Sequence, residues 1–264
     1  MKRKKKIPDY SSMIKNIMEY HDGTSEILYY DDPPHEYHWE GQLVPSCSNI
    51  AKIITPSIVI GKWTAKKSAE KFKELIKPKK SYDKIELDDF YDQIKGAADA
   101  SMNEAGEVGT EVHDAFEKYI LSKKEPNFDN EQMAKSFATF KNWYLQQTGL
   151  EIVKTEALIL SRKHFYTGTF DALFKNDKGE LIIYDWKTSS GIRDSHIIQC
   201  YLYALALEEQ FNTKVPQGVI VNSTREGKLN IKTFEIGQEQ HEIALACLKL
   251  FFFLNPNKGR QNVI

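Results

Sequence analysis

Three residues in the second half of the chain have the types and spacing for metal-assisted chemistry. In Leu181-Ile182-Ile183-Tyr184-Asp185-Trp186-Lys187 an apolar run ends in a carboxylate and an amine two positions apart. On a strand, positions i and i+2 share a face, so Asp185 and Lys187 should point into one space. Trp186 then points to the other side and offers its backbone carbonyl at the edge. Asp171, in Gly168-Thr169-Phe170-Asp171, lies on the preceding apolar stretch, and the turn Asn176-Asp177-Lys178-Gly179 makes the two stretches neighbours. Two carboxylates converging in a partly buried cleft repel each other, so one takes a proton or a cation sits between them. A hard divalent ion such as Mg²⁺ is satisfied by one or two carboxylates, a carbonyl and waters, with phosphate oxygens completing the shell. Lys187 would then orient or deprotonate an attacking water and offset charge growing on a phosphodiester, while the metal lowers the pKa of that water. Taken alone, the triplet reads first as a structural Asp-Lys ion pair at a strand end.

The elements that must position these residues follow from periodicity. After Gly149 the pattern is strand-like over Ile152 to Leu160, Phe165 to Phe174 and Leu181 to Trp186, which predicts a three-stranded meander. A helix is predicted from Asp194 to Phe211, then strands over Gln217 to Asn222 and Leu229 to Phe234, then a helix from Gln238 to Leu254. Upstream, helical stripes run from Ser46 to Gln147, with a helix start at Pro45-Ser46. Alternating aromatic residues from Glu26 to Val44, around Asp31-Asp32-Pro33-Pro34, predict a small hairpin. The fold class is α/β (α+β), with a central mixed sheet flanked by helices.

Two helical pairs stand near this frame. His113 and Glu117, in Gly109-Thr110-Glu111-Val112-His113-Asp114-Ala115-Phe116-Glu117, are four residues apart and share a face, as do Gln199 and Tyr203 in Gln199-Cys200-Tyr201-Leu202-Tyr203. Without further context His113 is a satisfied structural histidine, Gln199 a surface residue and Tyr203 core.

Together, Gly168 to Asp171, Asp185-Trp186-Lys187-Thr188-Ser189, Gln199 to Tyr203 and the Gly109 to Glu117 string resemble, in order, the RecB-like branch of the PD-(D/E)XK nucleases. The match runs from about Pro45-Ser46 to the C-terminus and is similar to phage exonucleases and the mitochondrial genome maintenance exonuclease. The resemblance implies a restriction-endonuclease-like core with an N-terminal helical elaboration, acting as a metal-dependent exonuclease on single-stranded DNA or duplex ends in replication, recombination or repair. A structure-specific endonuclease or a non-catalytic DNA-binding or assembly protein are the alternatives. It further implies that Asp171, Asp185, Lys187 and Glu156 are catalytic. His113, Asp171, Asp185 and the Trp186 carbonyl would hold Mg²⁺ or Mn²⁺, an imidazole being more natural for Mn²⁺. Gln199, Tyr203, Glu117 and Thr188 would line the cleft. Glu156 is placed near the start of the first strand. Phe170 stands where the motif name has proline, which this loose motif tolerates. The four cysteines that hold an iron-sulfur cluster in some relatives are missing, so no such cluster is expected.

Composition bounds these readings. The 264 residues are 41% hydrophobic and 28% charged, ordinary for one globular domain with an elaboration. The expected division is a basic tail and lead-in over 1–25, a hairpin and helical elaboration over 26–148 carrying the His113 motif, and a catalytic core over 149–264. No apolar run is long enough to span a bilayer, so no membrane partner is expected. The basic N-terminus lacks the apolar segment of a secretory signal. Cys47, Cys200 and Cys247 lie far apart and fit a reducing compartment, the cytoplasm of a bacterial or phage-infected cell. Formal net charge is -1, so a DNA surface would be local. Its candidate is the run from Lys62 to Lys80, including Lys66 and Lys67, which reads equally as a solvated helix face. With Trp63 and Tyr82, the helical half is expected to arch across the cleft and hold a strand. No P-loop is present, so any helicase or recombination protein would be a separate chain. A His113-Asp114 phosphohydrolase dyad lacks its further ligands. A zinc site from His35, Glu36, His38 and Cys47 lacks a convincing fourth.

Overall fold

The computed structural model describes residues 12–31, 35–78 and 80–258. The C-terminal half carries a five-stranded sheet in the order β5-β6-β7-β8-β9, formed by Leu150–Ser161, Tyr166–Asn176, Leu181–Lys187, Gln217–Ser223 and Leu229–Glu235. The first three strands form the antiparallel meander that the turn residues predict. β7 and β8 are parallel, so the chain must cross over between them, and it does so through helix α5 (Asp194–Phe211). β9 returns antiparallel to β8. The sheet is therefore mixed.

Helices cover both faces. On one face, α1 (Cys47–Ala51), α5 and α6 (Gln238–Leu254) pack against Ile159, Phe170, Ile183 and Ile220. On the other, the C-terminal part of α3 (Lys84–Ser122) and α4 (Glu131–Tyr144) pack against Ala172, Phe174, Tyr184, Trp186 and Val221. Phe116 and Phe140 stack at 3.8 Å between ring centres, and Phe140 meets Trp186 edge-on. Burying both faces explains why β7 and β8 read as near-continuous apolar runs.

The predicted helix start at Ser46 is present, its side chain accepting from the Asn49 N–H at 3.3 Å. Asp83 and Glu86 form a reciprocal capping box that starts α3. Before it, α2 (Ser57–Leu75) has no buried residue.

The N-terminal region is more ordered than a tail and hairpin. Strands β1 (Ile14–Glu19), β2 (Ser25–Asp31), β3 (Glu36–Trp39) and β4 (Gln42–Val44) form a separate antiparallel sheet. β1 thus begins inside the stretch read as lead-in. Its sequence Ile-Lys-Asn-Ile-Met-Glu does not alternate, and Ile14 and Ile17 are exposed, so it carries no strand pattern. The Gln210 side chain on α5 donates to the Glu19 carbonyl at 2.8 Å, and the Tyr20 hydroxyl donates to the Leu160 carbonyl at 2.6 Å, tying this sheet to the core. Residues 1–11, the predicted turn residues Asp32, Pro33 and Pro34, and Lys79 of the basic run lie outside the described residues.

Candidate active site

β7 places its chemistry by alternation. Ile182, Tyr184 and Trp186 face α3 and α4, and Ile183 faces α5. Asp185 and Lys187 consequently share the α5 face, with the Lys187 Nζ 2.5 Å from Asp185 Oδ2. Asp185 is wholly buried.

Besides a register shift between Ile152 and Lys154, β5 and β6 depart from regular alternation at one further place. Ala157 and Phe170 belong to the α5-side core, whereas Ala172 belongs to the α3 side and Thr155 donates to Glu117 on α3 at 3.1 Å. Residues two apart therefore lie on opposite faces, and the reversal is centred on Glu156, whose φ is +41°, and on Asp171 across from it. A left-handed non-glycine inside a strand is a strained conformation of the kind that collects at functional sites. It sits in mid-strand, not near the strand start where Glu156 was expected.

The reversal lets Asp171 face two ways. Its Oδ2 accepts the Trp186 N–H at 2.5 Å, and its Oδ1 lies 3.7 Å from His113 Nδ1. One ligand atom each from His113, Glu156 and Asp171 fall within 4.8 Å of one another, the one such group of three among the described residues. Among the described residues no comparable group forms around His35, His38 and Cys47, and Asp114 is exposed. Asp185 lies beside the trio, paired with Lys187 instead.

The electrostatics favour a cation here. Burial, then the negative charges of Asp171, Glu117, Asp114 and Asp185, push the Glu156 carboxyl up to about 8. Burial likewise lifts Asp185 to about 6 against the pull of Lys187, with Asp171 adding to the rise. For Asp171 burial also acts upward, but His113, Lys187 and the Trp186 N–H outweigh it and hold the group below its ordinary value. Burial works against the Lys187 ammonium, and Asp185 and Asp171 more than offset it, so its pKa is raised. Glu156 Oε1 and Asp185 Oδ1 are buried without a hydrogen bond, while Asp185 Oδ2 has the Lys187 ammonium. Buried polar atoms are nearly always satisfied, so these exceptions call for a partner. A divalent ion fits the donor set of one imidazole and buried carboxylates, held by His113, Glu156 and Asp171 with Asp185 adjacent.

The remaining predicted residues divide. Gln199 donates to the Tyr203 hydroxyl at 2.5 Å, so the pair shares a helix face. Tyr203 is 3% exposed, packs edge-on against Phe170, and sits where a Cβ on Gly168 would come within 2.8 Å of its ring. Thr188 is buried, and α3 passes close enough that a Cβ on Gly109 would lie 3.5 Å from its hydroxyl. The Trp186 ring is buried, and its backbone N–H meets the cluster through Asp171. Lys66 and Lys67 are not in the cluster. They pair with Glu70 on their own helix at 3.8 and 3.0 Å.

Two residues escape sequence reasoning. His196, on the first turn of α5, is held down to about 3 by burial and then by the charges of Lys187 and Arg193, so it is neutral. Asn222, wholly buried at the end of β8, donates to the Lys187 carbonyl. The signal for Asn222 was a polar residue ending an apolar strand, legible only once β8 is known to lie beside β7.

A mixed sheet thus presents Asp171 and the Asp185-Lys187 pair beside His113 and Glu156. The PD-(D/E)XK nuclease superfamily profile matches residues 87–246, more than half of the chain, and the chain belongs to that superfamily. No curated protein matches it. Among solved structures it is similar to a phage-related exonuclease from Haemophilus somnus 129PT, at 11% identity and a TM-score of 0.35 over 81% of this chain and 96% of that one. It is also similar to the alkaline exonuclease LHK-Exo from Laribacter hongkongensis, at 10% identity and a TM-score of 0.33 over 55% and 78%. A third structure, SSO0001, matches at 15% identity and a TM-score of 0.32 over 48% of this chain, which spans only 62% of that protein. No helix among the described residues is long and apolar enough to cross a membrane.

Proposed function

We propose that this nuclease is a Mg²⁺- or Mn²⁺-dependent deoxyribonuclease that works from DNA ends, on single-stranded or end-containing substrates in replication, recombination or repair. The observation that carries the metal-dependent chemistry is the convergence of His113, Glu156 and Asp171, with buried unpartnered oxygens, beside the Asp185-Lys187 pair. End dependence rests on the resemblance to exonucleases. A divalent ion bound there would lower the pKa of a water and polarise the phosphodiester. The Trp186 carbonyl is a further proposed ligand.

The chain's own groups do the rest. Asp171 is oriented by the Trp186 N–H and keeps its charge, so it anchors the cation at neutral pH. Glu156 would release its proton to solvent to serve as a ligand of that ion. Lys187 holds its proton against burial, which fits orienting water and offsetting phosphate charge better than removing a proton. The Gln199-Tyr203 pair lines the cleft on the α5 side. Lys66 and Lys67, exchanging Glu70 for phosphate, would guide the strand along α2. A separate helicase or recombination protein would supply any unwinding, and a reducing cytoplasm suits three free, buried cysteines.

The test is a digestion time course with labelled linear, end-blocked and covalently closed circular DNA, in Mg²⁺, Mn²⁺ or EDTA. Metal-dependent shortening of linear DNA alone supports the reading. Cleavage of circles would replace it with an endonuclease, and binding without cleavage in any metal would sink it.

A further inference from the structure

Asn222, Ser223 and Thr224 are three consecutive polar residues buried to 2% exposure or less, and none belongs to the metal cluster. A buried amide side chain must find acceptors for two hydrogens and a donor for its oxygen. Asn222 finds all three. Its Nδ2 donates to the Lys187 carbonyl at 3.2 Å and the Ser189 carbonyl at 2.8 Å, and its Oδ1 accepts from Asn230 Nδ2 at 3.0 Å. Both backbone partners are carbonyls, which only accept, so the amide nitrogen must face them.

The position of these bonds gives them their meaning. Lys187 is the last residue of β7, and Asn222 is its register partner on the parallel strand β8. A strand end is where local opening is easiest. The Asn222 amide extends the pairing past that end by holding the carbonyls on either side of Thr188. The segment after Asn222 reaches the opposite layer. Ser223 and Ser136 exchange hydrogen bonds between β8 and α4, and the Arg225 guanidinium donates to the Ala105 carbonyl at 3.0 Å, on the helix that carries His113.

We propose that Asn222 is a positioning residue that fixes the backbone of Lys187, and through it the ammonium beside Asp185. It touches no ligand atom of the His113, Glu156 and Asp171 group, so its effect should fall on turnover and spare metal binding. The turnover arm rests on the nuclease reading above.

The experiment compares wild type with Asn222→Asp, which turns an acceptor toward both carbonyls, and with Asn230→Asp, an exposed change that replaces the donor to Asn222 Oδ1 with a carboxylate oxygen. Cleavage of end-labelled DNA with Mn²⁺, Mn²⁺ affinity and amide exchange over residues 187–193 are measured on the full chain. For Asn222→Asp the expected result is a kcat lowered about tenfold or more, with KM and Mn²⁺ affinity within about threefold of wild type. Exchange should rise in the 187–193 segment and not in β6. Asn230→Asp should lower kcat by about threefold in the same direction. A folded Asn222→Asp with wild-type kcat overturns the proposal, as does parallel loss of metal affinity and kcat. If Asn222→Asp does not fold, wild-type kcat and exchange in Asn230→Asp overturn it. If the wild type does not cleave DNA, the nuclease reading falls, and exchange alone decides: faster exchange supports positioning, unchanged exchange overturns it.

Discussion

Helix α3 runs through two regions of opposite character. Over residues 84–107 only Ala98 is buried, and the neighbouring α2 has no buried residue. From Val108 onward, Val112, Ala115, Phe116, Tyr119 and Ile120 are buried, and His113 sits within that stretch. The first region is held by a capping box, contacts between α2 and α3, and exposed ion pairs such as Lys71-Glu74 at 2.9 Å. Exposed pairs of this kind contribute about 1 kcal/mol or less each. The second region is clamped by aromatic packing onto β6 and β7. Catalytic geometry is placed where burial leaves the backbone little freedom, and the arm is left tolerant.

The comparison breaks first at Lys187. Lys187→Ala should lower the DNA cleavage rate by about 10²- to 10⁴-fold, measured at saturating Mn²⁺. A rate within about threefold of wild type would mean that the ammonium does not serve the reaction.

Glycines sharpen it further. Gly168 lies under Tyr203 and Cys47, where an added Cβ would meet the ring at 2.8 Å and the sulfur at 3.0 Å. Gly168→Ala should therefore destabilise the protein by about 1–3 kcal/mol in urea unfolding. Unchanged stability would show that this packing yields.

Glu156 links the core to pH. Its native pKa of about 8 lies above its ordinary value of 4.5, so between those values the folded state holds a proton that the unfolded chain has released. Stability of the metal-free protein is therefore greatest below about pH 4.5 on this account, and is lost as pH rises toward about 8. The melting temperature should fall by a few degrees over that window, and Glu156→Gln should flatten the slope. Added Mn²⁺ competes with the proton and should raise the melting temperature more at high pH than at low. An equal slope in wild type and variant would remove Glu156 from the account.

The smallest effect is expected in the arm. An added Cβ at Gly96, in the middle of α3, meets nothing within 4 Å. Gly96→Ala should stabilise by about 0.5–1 kcal/mol, the reverse of the same change at Gly168. A loss of stability there would mean that the arm packs more tightly than its exposure indicates.

Legibility followed the same division. Strand and helix spans in the second half match the periodicity closely, the predicted helix from Asp194 to Phe211 among them, because two buried faces impose a strong pattern. The spacing of Asp185 and Lys187 sufficed to place them on one face. Three features were hidden for physical reasons. β1 is short and exposed, so it has no pattern to read. The left-handed backbone of Glu156 reflects a strand reversal that no local sequence signal announces. Asn222 acts across a parallel pair made by a crossover, a neighbour relation that local periodicity does not contain. The separation of Asp185 from the His113, Glu156 and Asp171 group is equally a matter of three dimensions.

The central claim is that this cluster is a metal-dependent nuclease site, and Asp185→Ala tests it most directly. End-labelled linear DNA is incubated with wild type and variant in Mn²⁺ and in EDTA, with DNA binding measured in parallel. The account predicts metal-dependent shortening by wild type, none by the variant, and DNA binding retained in both. Cleavage by the variant at the wild-type rate would contradict it.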